Sequence, residues 1–129
     1  MGVKARILCV DDSRVVQQLI RMYFRHLGDV ELVFADDGMA GLRYLIQEDF
    51  DLALVDINMP VMDGLTLLRL YLEDATEPKV PIVIVTTDGR DKTSDEVLGL
   101  GASAFITKPI DGEKLRKVAI ELIEKFQSE

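Results

Sequence analysis

Leu52-Ala53-Leu54-Val55-Asp56 is an unbroken apolar run closed by a carboxylate. A strand with one wet face alternates apolar and polar residues, whereas an unbroken run of this length fits a strand buried on both faces of a parallel sheet. The same form occurs in Ile7-Leu8-Cys9-Val10, followed by Asp11-Asp12, and in Ile82-Val83-Ile84-Val85, followed by Thr86-Thr87. With their flanks, five aliphatic segments recur, over 5–10, 31–35, 51–55, 81–85 and 103–107. Between them the spacing becomes helical. From Ser13, the positions Val16, Leu19, Ile20, Tyr23 and Leu27 fall at steps of three and four, with Ser13 placed to cap the helix and Gly28 to end it. His26 then falls in the last turn, a surface position. Over 65–74, Leu65, Leu67, Leu68, Tyr71 and Leu72 share a broad stripe that leaves Leu70 outside; over 113–126, Leu115, Val118, Ala119, Leu122, Ile123 and Phe126 share another. Strands alternating with helices imply right-handed crossovers and a parallel sheet with helices on both faces. The expectation is one α/β domain over residues 1–129.

Composition agrees with this reading. Of 129 residues, 48% are hydrophobic and 29% charged, enough for one core and unlike disordered or collagen-like chains. Lys plus Arg is 15 against 23 Asp plus Glu, a net charge of −8. That balance argues against gripping nucleic acid or an anionic membrane through bulk charge. No apolar run approaches the ~18 residues needed to span a bilayer, and no signal-peptide core is present. Arg6 stands where a myristoylation signal beginning at Gly2 wants serine or threonine. The single Cys9 permits no intrachain disulfide or zinc cluster and reads as a small core residue. A cytoplasmic location is expected.

In open α/β sheets, ligands bind beyond the carboxyl ends of the strands. Asp11, Asp12, Asp56, Thr86 and Lys108 all follow or end an apolar segment, so three carboxylates, a hydroxyl and an ammonium converge on one edge. One strand-end aspartate is usually a cap or turn former, and one such threonine reflects β-propensity alone. Three carboxylates crowded together, however, cost stability unless a cation compensates. Mg²⁺, which takes few protein oxygens plus waters, balances −3 from the carboxylates and +1 from Lys108. Such a site suits phosphoryl transfer, with Asp56 the best-placed nucleophile.

These residues resemble the receiver domain of two-component response regulators across essentially the whole chain. V-D-D-S at 10–13, V-D-I-N-M-P-V-M-D-G at 55–64, V-T-T at 85–87 and K-P at 108–109 carry the resemblance, the central run most specifically. The resemblance implies a five-stranded sheet in order 2-1-3-4-5. It implies that Asp56 accepts a phosphoryl group from a phosphohistidine of a sensor histidine kinase or histidine phosphotransfer protein. Asp12 and Asp56 would ligate Mg²⁺, with Asp11 acting through water and Asn58 through its carbonyl. Lys108 would pair with Asp56 and then with a phosphoryl oxygen, Thr86 would donate its hydroxyl, and the Thr87 amide would support it. Pro109 would follow a cis peptide. Thr86 and Phe105 would form the switch, and Asn58 with Asp88 would tune lifetime toward fast self-dephosphorylation. The segment 92–100, weakened by Gly99, is a plausible bistable fourth helix, with Gly99 and Gly101 alternatively serving only as terminators.

A receiver is not a classical enzyme, since it turns over only its own phosphate. The enzyme rival is a phosphatase of the haloacid dehalogenase type, which wants an acid two residues after its nucleophile, where this chain has Asn58. A phosphate-independent interaction module of the same fold is the other alternative. With no DNA-binding or enzymatic domain after Glu129, the chain reads as a stand-alone receiver or as part of a longer regulator. A stand-alone receiver acts by binding a protein target or another copy, through the fourth helix, fifth strand and fifth helix.

Overall fold

A computed structural model describes residues 3–73, 79–87 and 89–128. Five strands, β1 (Val3–Val10), β2 (Gly28–Ala35), β3 (Leu52–Asp56), β4 (Ile82–Thr86) and β5 (Ala104–Thr107), alternate with five helices. The helices are α1 (Arg14–Phe24), α2 (Gly38–Gln47), α3 (Gly64–Glu73), α4 (Asp91–Gly99) and α5 (Gly112–Gln127). All strand pairs are parallel, in the order β2-β1-β3-β4-β5. The unbroken runs are therefore the three central strands, and every residue of β3 and β4 is buried. At the edges, β2 and β5 are only partly covered.

Side chains alternate across this sheet and build a core on each face. Ile7, Cys9, Leu52, Leu54, Val83, Val85 and Ile106 pack with Ile20, Phe24, Leu115, Ala119 and Ile123 of α1 and α5. Leu8, Val10, Ala53, Val55, Ile82 and Ile84 pack with Leu67, Leu68, Tyr71 and Val97 of α3 and α4. Cys9 is a core residue, as its apolar strand predicts, and burial pushes its thiol pKa up. Leu70 is exposed, off the α3 stripe. Residue 74, which the sequence pattern placed at the end of that helix, lies outside the described residues.

The first helix departs from its sequence reading. Its buried residues are Gln17, Ile20 and Phe24, while Val16, Leu19 and Tyr23 flank them half-buried. It ends at Phe24, capped by Arg25, so Gly28 does not terminate it; Gly28, at φ 134°, opens β2. His26 accordingly sits in the connecting turn and not in the last helical turn. Ser13 caps α1 as expected, accepting from Val16 N–H, and three further helices start on side-chain caps: Asp37 accepts from Ala40, Asp63 from Thr66, and Asp111 from Glu113 and Lys114. Three strand-following or loop aspartates thus have the ordinary capping role that Asp56 does not. At the end of α4, Gly101 has φ 113°, and Ala102 and Gly101 donate to the carbonyls of Val97 and Leu98, so Gly101 acts as the terminator.

Between β3 and α3, Val61 has φ 68° in a tight turn closed by Met62 N–H donating to the Pro60 carbonyl at 2.7 Å. A β-branched side chain is strained there, and asparagine tolerates that region. Val61→Asn is expected to raise stability by about 1 kcal/mol, read as a higher urea midpoint at unchanged slope. A lower midpoint would show that the exposed valine contributes more than its backbone costs.

Candidate functional site

The sheet register carries the predicted residues to one edge. Val10 pairs with Val55, Asp56 with Val85, and Thr86 with Thr107, so Asp11, Asp12, Asp56, Thr86 and Lys108 stand at the carboxyl ends of four strands. Asp11, Asp56 and Thr86 are buried, whereas Asp12 is exposed. One carboxylate oxygen from each of Asp11, Asp12 and Asp56 lies within 4.8 Å of the others. Lys108 Nζ donates to Asp11 Oδ2 at 2.9 Å and lies 3.4 Å from Asp56 Oδ2. The ammonium therefore bridges both buried carboxylates and sits closer to Asp11, whereas the resemblance implied Asp56 alone.

The carboxylates are held differently. Asp11 Oδ1 accepts from Ser13 N–H at 2.8 Å, and Asp56 Oδ1 accepts a long 3.4 Å bond from Asn58 N–H. Among the described residues nothing pairs with the Asp12 carboxylate. Burial raises the Asp56 pKa, and the Asp11 charge adds to this against the opposing pull of Lys108. Burial opposes the Lys108 ammonium, but hydrogen bonding and charge from Asp11, then from Asp56, outweigh it and raise the Lys108 pKa. The local charge is −3 plus +1, and the three hard oxygen donors are close enough to share one ion. This donor set fits Mg²⁺, whose +2 would neutralise the cluster.

Neighbouring geometry keeps the edge open. A Cβ on Gly64 would lie 2.2 Å from the Asp56 carbonyl oxygen, so glycine permits α3 to begin directly against the end of β3. Gly64 N–H donates to the Ile57 carbonyl at 2.8 Å, closing the intervening loop. Lys108 N–H donates to the Thr86 carbonyl at 2.7 Å, and the Lys108–Pro109 peptide is cis, as the resemblance implied. Thr87 and Asn58 are exposed. Phe105 is half-buried against the α3–α4 core. It pairs in register with Ile84, so it faces the same side as Thr86 on the adjacent strand. Asp88 lies outside the described residues.

Gln17 was not foreseen as part of this region. It is buried beside the Asp11 loop and bonds to Asp11 and Asp36. Its spacing with Ile20 and Phe24 is the only sequence signal, and a lone amide on a helix gives no reason to choose that stripe. A groove of about 830 Å³ lies at the opposite end of the sheet, lined by Ile46, Phe50, Leu70, Tyr71 and Val80. It is remote from the carboxylates.

Known proteins share this fold. The model of the response regulator receiver domain matches residues 7–120. The chain is 30% identical over 120 residues to chemotaxis protein CheY of Pseudomonas aeruginosa, covering 93% of this chain and 97% of that protein. It is similar to a CheY-like receiver domain protein of Methanospirillum hungatei, with TM-score 0.86, 28% identity and 98% of each chain covered. The receiver domain of a Pseudomonas aeruginosa sensor histidine kinase, with magnesium coordinated in its active site cleft, gives TM-score 0.83 at 25% identity over 95% of this chain and 99% of that one. The phosphorylated cyanobacterial phytochrome response regulator RcpA gives TM-score 0.79 at 27% identity, covering 96% and 94%. The chain belongs to the response regulator receiver domain family. Its acidic cluster is able to chelate a metal, and its architecture is that of a phosphorylation-dependent signalling protein, not of a classical enzyme. Among the described residues, no helix is long and apolar enough to cross a membrane.

Proposed function

We propose that the chain is a magnesium-dependent signalling switch in which Asp56 takes a phosphoryl group from a phosphohistidine of a sensor histidine kinase or histidine phosphotransfer protein. The observation that carries this reading is the convergence of Asp11, Asp12 and Asp56 within 4.8 Å, with Lys108 against the two buried members. Asp11, Asp12, Asp56 and the Asn58 carbonyl would hold Mg²⁺. When bound, the ion supplies positive charge that neutralises the phosphoryl oxygens in transfer. An Asp56 carboxylate oxygen attacks phosphorus, the P–N bond breaks, and the imidazole keeps the electron pair. Lys108 neutralises a second phosphoryl oxygen, while Thr86 O–H and Thr87 N–H donate to the others. Attack by water then releases inorganic phosphate and restores the carboxylate, with Asn58 and Asp88 setting access.

The switch follows from the shared face of Thr86 and Phe105. Phosphorylation adds roughly −2 charge and strong acceptors. Drawing Thr86 toward that group opens space beside Phe105, whose inward turn changes the surface of α4, β5 and α5 for a protein target or a second copy. Among the described side chains of α4 only Val97 is buried, so little apolar burial holds this helix in one place.

Incubation with acetyl phosphate and Mg²⁺ is expected to add one phosphoryl group by intact mass, and a chelator to prevent it. A folded, Mg²⁺-binding protein left unmodified by both acetyl phosphate and a phosphorylated histidine phosphotransfer protein would favour the phosphate-independent module.

A further inference from the structure

Four polar side chains are buried among the described residues: Asp11, Asp56, Thr86 and Gln17. Three belong to the proposed site, and Gln17 stands directly behind it. Its Nε2 donates to the Asp11 carbonyl at 2.8 Å and to Asp36 Oδ1 at 2.9 Å, while its Oε1 accepts from Arg14 Nη1 at 3.3 Å. One amide from α1 thus ties together the ends of the neighbouring strands β1 and β2. Arg14 and Asp36 are also paired at 3.5 Å, but both are well exposed, so the buried amide is the part that fixes geometry.

What it fixes is the peptide unit that carries Asp12. The Asp11 N–H donates to the Ala35 carbonyl at 3.1 Å, the last sheet-like bond of β1, and its carbonyl has Gln17 as its side-chain partner. The peptide from Asp11 carbonyl to Asp12 Cα is planar, so holding the oxygen sets the plane and the place of Asp12 Cα. Asp11 and Asp56 have direct hydrogen-bond partners for their carboxylates; Asp12 has none among the described residues. Its oxygen is brought within 4.8 Å of the other two by the backbone alone.

We infer that Gln17 is a positioning residue for the metal site, holding the Asp11–Asp12 peptide so that the otherwise unsupported Asp12 carboxylate is preorganised for a divalent cation. The inference rests on the metal-dependent reading above. Removing such a supporting partner typically costs tenfold or more in metal affinity.

The test titrates Mg²⁺ into isotopically labelled wild type, Gln17→Met and Gln17→Asn, following backbone amides by NMR, with thermal melts in chelator. Both substitutions are uncharged, so they leave the attraction for Mg²⁺ otherwise unaltered; methionine keeps the volume, and asparagine keeps an amide too short to reach. Both are expected to weaken the Mg²⁺ Kd by about tenfold, with the Asp12 and Ser13 amides shifted before metal is added and those of β3 and β4 in place. A Kd within twofold of wild type in a folded variant, or loss of the fold in both, assigns Gln17 to packing and overturns the inference. Wild type without saturable shifts overturns the metal reading itself, a result distinguishable from either of these.

Discussion

Asp56→Asn is expected to abolish phosphoryl uptake and, in chelator at neutral pH, to make the fold more stable by about 1–2 kcal/mol. The first effect follows because the amide is a poor nucleophile at the one carboxylate placed between Lys108 and the β4 edge. The second follows from the raised Asp56 pKa, whose principal cause is burial. A carboxyl whose folded pKa lies above its ordinary value of 3.8 favours folding only while protonated. The penalty is absent below that ordinary value, develops as pH rises through the folded pKa, and is full above it. The stability gain of Asp56→Asn should therefore be present at pH 7 and shrink on acidification, as read by thermal melts across that range. A variant less stable than wild type at pH 7 would mean that Lys108 overcompensates the buried charge.

Lys108→Met should act in the opposite direction, with a loss of about 3 kcal/mol in chelator. The substitution keeps most of the stem and removes an ammonium that stands 2.9 Å from Asp11 and 3.4 Å from Asp56. Two buried carboxylates then face each other with no cation between them, which costs far more than losing an exposed pair. Mg²⁺ should recover part of the loss, because its charge enters the same cluster, whereas an equal ionic strength of NaCl should recover little. The raised Lys108 pKa gives the matching pH sign: the stabilisation in wild type is fully present below lysine's ordinary 10.5 and is lost as pH rises through the folded value. Chemical denaturation with and without Mg²⁺ measures both effects. A loss below 1 kcal/mol would show that the carboxylates tolerate one another without the lysine.

The central strands were legible because double burial leaves a distinctive signature. Leu52 to Val55 and Ile82 to Val85 carry no polar residue, and each run ends where the chain turns toward the site. The strand order was not legible from the runs themselves; it came with the resemblance carried by the motif at 55–64. The convergence of Asp11, Asp12, Asp56, Thr86 and Lys108 on one edge was legible because strand ends are marked by the change from aliphatic to polar. The end of α1 was not, since a glycine after an apolar stripe reads as a terminator, whereas Gly28 uses its positive φ to enter β2. The burial of Gln17 was hidden for a different reason. Its amide nitrogen donates to a backbone carbonyl and to Asp36, 19 residues away, and neither leaves a local pattern. The closer approach of Lys108 to Asp11 is likewise a product of packing, because sequence places both carboxylates at the same edge without ranking them.

The most direct measurement is the position of the phosphoryl group. The protein is treated with acetyl phosphate and Mg²⁺, the acyl phosphate is reduced with borohydride, and the altered aspartate is located by peptide mass spectrometry. Conversion confined to position 56, absent with chelator, is the result this account predicts. Conversion at another carboxylate with position 56 untouched would contradict it.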